Sequence, residues 1–502
     1  MTNSSNFTRR RLLGGMLGAG ALGLGGAATF GLRPGVARSG NDPRAGEDPG
    51  LGERKLLFVV CATGGGNIVD SFLPVLDSEV TTGDPSTLDV YPESLIVQPP
   101  GSNIRCVGNH ANYSYFTSNF SMQTLLANHY ADMVVLGHEC TSVNHTVAQK
   151  RATTGAGVNF GRTIMEAQAE RHGSGMLLPN TNMASGGYIA AGDDPDLPRW
   201  ARAELIADPL MFAAATHGRR GVAGAPEAAL VDRARKIRGQ LEQASPFGQT
   251  FAESPLRKQY LDQRDVSQPA IEAADLISKL MLVPQANLPA QYGLEASPLI
   301  DPIREAFPLL YSDAWEARAA LAFALAYFGV SCSISVGLDF DPVAVGNTLI
   351  STPLAFDYSH NDHRVAQNLM WGRTSRLVDG LITLLKTFDY LGDPALGKMW
   401  DRSLIYVATD FGREKIRPGN ASSWSTGHHL NNGALLVSPL LKGNAVYGGV
   451  DPNTLLTYGF DRATGAPDPG VIMREGDVYS AVASALGIEF AGRRDMSAMV
   501  RA

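Results

Sequence analysis

Cysteine is scarce: four residues in 502, at Cys61, Cys106, Cys140 and Cys332, and none forms a Cys-x-x-Cys pair. That excludes a zinc knuckle and a thioredoxin-type redox motif. Three of the four sit in strand-like apolar runs, where a buried free thiol is expected; in an oxidising compartment, a disulfide involving Cys106 is the alternative. Charged residues are few as well, at 18% against 44% hydrophobic, so the chain is neither disordered nor fibrous. There is no internal repeat and no low-complexity tract, although 54 glycines and 29 prolines require abundant loops. Basic residues are outnumbered, 42 Lys and Arg to 49 Asp and Glu, for a formal charge of -7. Four of the arginines lie in the first 37 residues, which hold no acid, and without that segment the balance is -11. So acidic a remainder is a poor partner for nucleic acid or anionic lipid. The composition is that of a soluble globular protein, long enough for one large domain with insertions or for two to three ordinary ones.

What the N-terminus does contain is an address. Thr8-Arg9-Arg10-Arg11-Leu12-Leu13 matches a twin-arginine export signal, and an uncharged Gly-, Ala- and Leu-rich stretch extends from Leu12 to Leu32. Pro34-Gly35-Val36-Ala37 offers small residues to a signal peptidase, so cleavage is expected after Ala37. That leaves a protein of the periplasm or cell surface with no transmembrane segment. The alternative is a retained N-terminal anchor, but six glycines from Gly14 to Gly25 make the stretch weakly hydrophobic and a poor helix former. A second uncharged run, Ala319 to Leu338, reads as a buried helix, then Gly329, then a strand with alternating serines, which do not suit a lipid-facing span.

Beyond a charged tail over 38–54, apolar runs closed by polar or Gly-rich loops alternate with helical patterns. Strands are expected at Lys55–Ala62, Met133–His138, 331–339, Ser403–Asp410 and Gly433–Val437. Helices are expected from about Asn144, over about Arg364–Tyr390 and over about Gly476–Leu486. This rhythm predicts an α/β protein with a mainly parallel central sheet and helices on both faces. Residues 200–312 read as a mainly helical insertion or cap between the two parts of that core, 55–199 and 313–502. In such folds ligands bind at the carboxyl ends of the strands.

Only ten histidines exist, and four fall in two tight clusters. Asp357-Tyr358-Ser359-His360-Asn361-Asp362-His363 puts four metal-competent side chains in seven residues, a set suited to zinc or another divalent ion. The same run suits a polar loop capping the next helix through Asn361 or Asp362. Thr426-Gly427-His428-His429 precedes a strand, and adjacent histidines point apart, so at most one serves a given metal. Asp410 ends an apolar strand, where it either faces a site or pairs with a partner such as Arg413. Asp357 with His360, Asp410 and His429 all fall at ends of expected parallel strands.

These runs resemble the C-terminal part of the domain-of-unknown-function 1501 family. The matching segments are Phe356-Asp357-Tyr358-Ser359-His360, Thr409-Asp410-Phe411-Gly412-Arg413, Gly427-His428-His429 and Val446-Tyr447-Gly448-Gly449, with Gly65-Gly66-Asn67 and Asp70 after the first strand. The resemblance spans roughly residues 55–160 and 313–490. It implies a twin-arginine-exported protein with an alkaline-phosphatase-like fold. This sequence departs from the family pattern by one extra residue between Asp357 and His360, by Asp410 where Glu is usual and by His428 where Asp is usual. At the helix start where alkaline phosphatases carry a nucleophilic Ser or Thr, ten residues before the Gly of Thr154-Gly155, this chain has His145. The resemblance further implies a metal-dependent hydrolase of phosphate or sulfate esters, acting on a small anionic ester or a sulfated or phosphorylated polymer. A divalent metal, zinc or else manganese or calcium, would be held by Asp357, His360, Asp410, His429 and Asp70, with His145 as nucleophile or anion contact. The alternative is a non-catalytic exported protein that keeps the fold for binding or assembly.

Overall fold

The computed structural model describes residues 49–110, 121–216, 226–262, 264–265, 274–338, 343–345, 348–350 and 356–501. The export signal, its cleavage site and most of the charged tail lie outside the described residues.

An eight-stranded sheet organises the chain. Its strands, in sequence order, are β1 (Leu56–Ala62), β2 (Met133–Glu139), β3 (Asn180–Met183), β4 (Glu204–Leu205), β5 (Ser333–Leu338), β6 (Ser403–Thr409), β7 (Asn431–Val437) and β8 (Ala445–Tyr447). Across the sheet they run β8-β2-β7-β6-β1-β5-β3-β4. Every neighbouring pair is parallel except those made by β7, which is antiparallel to both β6 and β2. The α/β class and the mainly parallel sheet are as expected from the sequence; the reversed strand β7 is not, because a run buried on both faces reads the same in either direction.

Strand β1 shows why its sequence is uninterruptedly apolar. Leu56, Phe58, Val60 and Ala62 enter the core on one face of the sheet, while Leu57, Val59 and Cys61 enter the core on the other. Alternate side chains of a strand point to opposite faces, so a central strand covered on both sides needs apolar residues at every position. Each large side chain so buried contributes about 1.5–3 kcal/mol. Helices α1 (Met122–His129), α4 (Ala314–Tyr327) and α5 (His363–Thr387) supply the first core, and α2 (His145–Thr154), α3 (Ile164–His172) and α6 (Glu475–Leu486) line the second. Helix α4 is buried at every position from Trp315 to Ala326, and β5 comes next. The uncharged stretch is therefore buried over Ala319–Ala326 and Val330–Val336, and no helix among the described residues is long and apolar enough to cross a membrane. All four cysteines are free and buried, Cys106 included.

Residues 226–262 carry three helices, Ala228–Ala244, Pro246–Thr250 and Pro255–Asp262. The segment 200–312 is not wholly helical, since Glu204–Leu205 extends the main sheet as its edge strand β4.

Candidate metal and anion site

The carboxyl ends of β1, β2 and β6 and the amino end of the reversed β7 lie on one edge of the sheet, and the loops leaving them build a polar pocket. After β1 the chain turns through Gly64 (φ +102°) and Gly65 (φ +83°), whose amides donate to Asp410 at 3.2 and 2.6 Å. At Gly64 there is no room for a side chain: a Cβ would stand 2.3 Å from the backbone nitrogen of Asp357. Asn432 ties the same loop down, accepting from the Ile68 amide at 2.9 Å and donating to the Gly66 carbonyl at 3.0 Å and to Thr409 Oγ1 at 2.6 Å.

His145 is the first residue of α2. Asn144 caps that helix, its side chain accepting from the Val147 amide at 3.2 Å, and Gly155 ends it in the left-handed region at φ 61°. The imidazole is clamped by carboxylates at both nitrogens: Nδ1 lies 2.7 Å from Asp410 Oδ2 and Nε2 lies 3.3 Å from Asp357 Oδ1. Burial alone would lower its pKa, but the hydrogen bonds and charges of Asp357 and Asp410 raise it to about 9.

Asp410 stands behind His145 rather than in the open pocket. Only 1% exposed, it accepts from the amides of Gly64, Gly65 and Phe411, from Gln149 Nε2 at 3.4 Å and from His145 Nδ1. So surrounded, its carboxylate orients the imidazole, and it is not among the atoms that converge in front of it. Its expected partner Arg413 is engaged elsewhere.

Arg413 is fully buried and joins three loops. Its guanidinium donates to the Gly64 carbonyl, to the Phe356 carbonyl at 3.4 Å, to Asp357 Oδ1 at 3.2 Å, to His360 Nε2 at 3.1 Å and to the Thr426 carbonyl at 3.4 Å. Asp357 Oδ1 is thus shared by His145, His360 and Arg413. Burial would raise the Asp357 pKa, but the His145 hydrogen bond and the Arg413 charge hold it at about 2.

The second histidine cluster contributes the other residue than the one expected. In a short antiparallel ladder His428 pairs with Arg413 and His429 with Gly412, so the residue beside Arg413 is His428. Its Nδ1 donates to the Val143 carbonyl at 2.9 Å, which turns a lone pair on Nε2 toward the pocket, 2.9 Å from His360 Nε2. His429 instead accepts the Asn431 amide on its Nδ1 at 3.1 Å. Burial, and the charge of Arg413, lower the pKa of both His360 and His428.

His145, Asp357 and His428 each offer one ligand atom, all within 4.8 Å of one another. Tetrahedral bonds of about 2 Å separate ligand atoms by about 3.3 Å, which is the spacing of His145 Nε2 and Asp357 Oδ1. Two imidazoles and a carboxylate form a donor set that fits zinc. His360 lies at the edge of this group, next to Arg413. Asp70 is in a different, fully buried cluster with Asp89 and His363. Asp362 takes the N-cap position of α5 without a side-chain capping bond. Of the adjacent histidines the sequence favours His429 where the fold brings in His428, and nothing in the sequence marks the Arg413–Asp357 pair or Gln149; the last lies one helical turn after His145, on the same face of α2. A separate cavity of about 590 Å³, lined by Leu73, Glu79, Arg105 and Val450 among others, contains none of these residues.

No family model matches the chain, and no curated protein matches it. Among solved structures it is similar to Ps i-CgsB, at 9% identity over 87% of this chain and 73% of that one, with a TM-score of 0.29. It is also similar to the phosphonate monoester hydrolase of Agrobacterium radiobacter, at 13% identity over 86% and 74% of the two chains and a TM-score of 0.27. A phosphonate monoester hydrolase from Silicibacter pomeroyi gives 13% identity over 87% and 73%, with a TM-score of 0.25. At TM-scores of this size the likeness carries no weight for function, which rests on the pocket itself.

Proposed function

We propose that this chain is an exported, metal-dependent hydrolase of phosphate or sulfate esters, built on an alkaline-phosphatase-like core and related to the domain-of-unknown-function 1501 family. The observation that carries the reading is the convergence of His145, Asp357 and His428 at the strand ends, beside the buried guanidinium of Arg413. Those three residues would hold a divalent ion, zinc first. Such an ion supplies a Lewis acid that polarises an ester oxygen. The chain's own groups do the rest. Asp410 keeps the His145 Nδ1 proton in place and so fixes which nitrogen faces the substrate. Arg413, beside that ion, gives the pocket positive charge for an anionic ester, whether a small molecule or a sulfated or phosphorylated polymer. Export is directed by the twin-arginine segment at Arg9 and Arg10.

A second reading, an exported protein that binds anions without hydrolysing them, is favoured by one observation. The position at which alkaline phosphatases carry a nucleophilic hydroxyl holds His145 here, and the Asn144 side chain before it is committed to the Val147 amide.

The test is hydrolysis of p-nitrophenyl phosphate and p-nitrophenyl sulfate by protein of known zinc and manganese content. Turnover that is lost on chelation and restored by metal is expected. Sulfate or phosphate binding without turnover in metal-loaded protein would replace the hydrolase reading with the binding one.

A further inference from the structure

The run from Asp357 to His363, which the sequence marks as one metal-competent loop, is divided by the fold. Asp357 and His360 face the pocket; His363, at the start of α5, turns the other way and is completely buried. There its Nε2 lies 2.9 Å from Asp89 Oδ2 and 3.1 Å from Asp70 Oδ2. Asp70 and Asp89 are 1% and 0% exposed, so all three groups are removed from water.

The outward atoms of the three residues are each held by a neighbour. Asp70 Oδ1 accepts the Tyr91 hydroxyl at 2.5 Å, and Asp89 Oδ1 accepts Arg364 Nε at 3.1 Å. His363 Nδ1 lies 3.1 Å from Thr426 Oγ1, and that hydroxyl lies 3.3 Å from the Ser359 carbonyl. Donation from Nδ1 to Thr426, and from Thr426 to Ser359, leaves Nε2 as the inward atom. This is how supporting hydrogen bonds orient metal ligands. The inward atoms, Nε2 and the two Oδ2 oxygens, all lie within 4.8 Å of one another. An imidazole nitrogen carries at most one proton, so it cannot donate fully to two carboxylates at once. Two carboxylates facing each other in a dry site repel unless a positive centre lies between them. The positive groups already there are the imidazolium that His363 can carry, the Arg364 guanidinium on Asp89 Oδ1 and, one residue removed, the Lys415 ammonium on Asn67 Oδ1 at 2.6 Å, whose amide donates to Asp70 Oδ2. A divalent ion would take the place of the His363 Nε2 proton between the two carboxylates.

We propose that Asp70, Asp89 and His363 form a second, enclosed divalent-cation site, taking zinc or manganese, separate from the pocket around His145. The observed spacings of 2.9 and 3.1 Å need to open by only a few tenths of an ångström to reach the roughly 3.3 Å of tetrahedral ligands. Two carboxylates neutralise a doubly charged ion, and one imidazole suits a borderline metal better than calcium or magnesium. Its place in the fold makes it structural. It clamps the loop after β1, the segment containing Asp89 and the first residue of α5, and so fixes the floor beneath the turn that carries Asp357 and His360.

The test uses full-length protein from zinc- or manganese-supplemented culture, desalted and analysed for metal per chain by mass spectrometry. His428→Ala removes a pocket ligand and should retain one equivalent; adding Asp89→Asn should abolish it. The single variant Asp89→Asn should hold one equivalent fewer than the parent chain. Equal metal content with and without Asp89→Asn overturns the proposal. Because Asp89→Asn can fail to fold, zinc-loaded crystals of the parent chain decide independently. Anomalous density among Asp70, Asp89 and His363 is expected, and its absence shows a proton-bridged ion network instead. Loss of the His428-dependent ion alone would sink the hydrolase reading and leave this site standing.

Discussion

Replacing Asp410 by Asn isolates the support of His145 while keeping the side chain's size. In the parent chain Oδ1 accepts the Gly65 and Phe411 amides, whereas Oδ2 accepts the Gly64 amide, Gln149 and His145 Nδ1. An asparagine carbonyl can replace Oδ1. Its NH2 group then faces the donors that Oδ2 served. Breaking a buried charged pair in this way costs about 3–5 kcal/mol.

That cost should depend on pH with a definite sign. The His145 pKa is raised in the folded state, to about 9, so its contribution is fully present below the unfolded value and is lost as pH rises through 9. A shift from 6.5 to about 9 corresponds to at most about 3–4 kcal/mol, and the side chain is 32% exposed, so screening leaves about 1–2 kcal/mol. His363, raised to about 9, and Lys415, lowered to about 8, titrate across the same window. The difference between the two proteins removes their common contribution. In chelator-treated samples, urea unfolding should therefore show a gap between parent and Asp410→Asn of about 3–5 kcal/mol at pH 6, narrowing by about 1–2 kcal/mol at pH 10. Histidine C–H resonances should show one imidazole, identified by its absence in His145→Gln, moving from about 9 toward the ordinary value in Asp410→Asn. A gap that does not change with pH, or a His145 resonance that titrates alike in both proteins, would refute the assigned role of Asp410.

Three further outcomes are expected. Arg9→Lys together with Arg10→Lys should hold the unprocessed chain in the cytoplasm, and normal export of that variant would remove the case for the signal. His428→Ala should lower bound zinc by one equivalent and His429→Ala should not; the reverse result would mean that the two-residue ladder places the wrong histidine in the pocket. Gly64→Ala, forced both by φ +102° and by a Cβ 2.3 Å from the Asp357 nitrogen, should cost about 2–4 kcal/mol in urea unfolding. The control Gly83→Ala, at φ +93° with open space around its Cβ, should cost about 1 kcal/mol.

How much of this molecule can be read from its sequence depends on the range of the interactions involved. Strand β1 and helix α5 are legible because burial on two faces or on one stripe imposes a local pattern on consecutive residues. The N-cap role of Asn144 and the end of α2 at Gly155 are equally local. The direction of β7 is not, since seven buried residues carry no mark of polarity along the chain. The pocket divides in the same way. That Asp357, His360, Asp410 and a histidine of the 428–429 pair gather at strand ends is set by motif position. Which of the two histidines enters depends on a two-residue ladder against Gly412 and Arg413. Asp410 looks like a ligand until two amides from glycines about 346 residues earlier in the chain are seen to occupy it. His363 lies three residues from His360, and no sequence spacing tells that it pairs with Asp89, 274 residues away. Residue type and strand end thus locate the chemistry. Assigning each side chain as ligand, support or floor needs the long-range backbone contacts, because an acid whose lone pairs are filled by amides and one whose lone pairs are open are the same letter in the sequence.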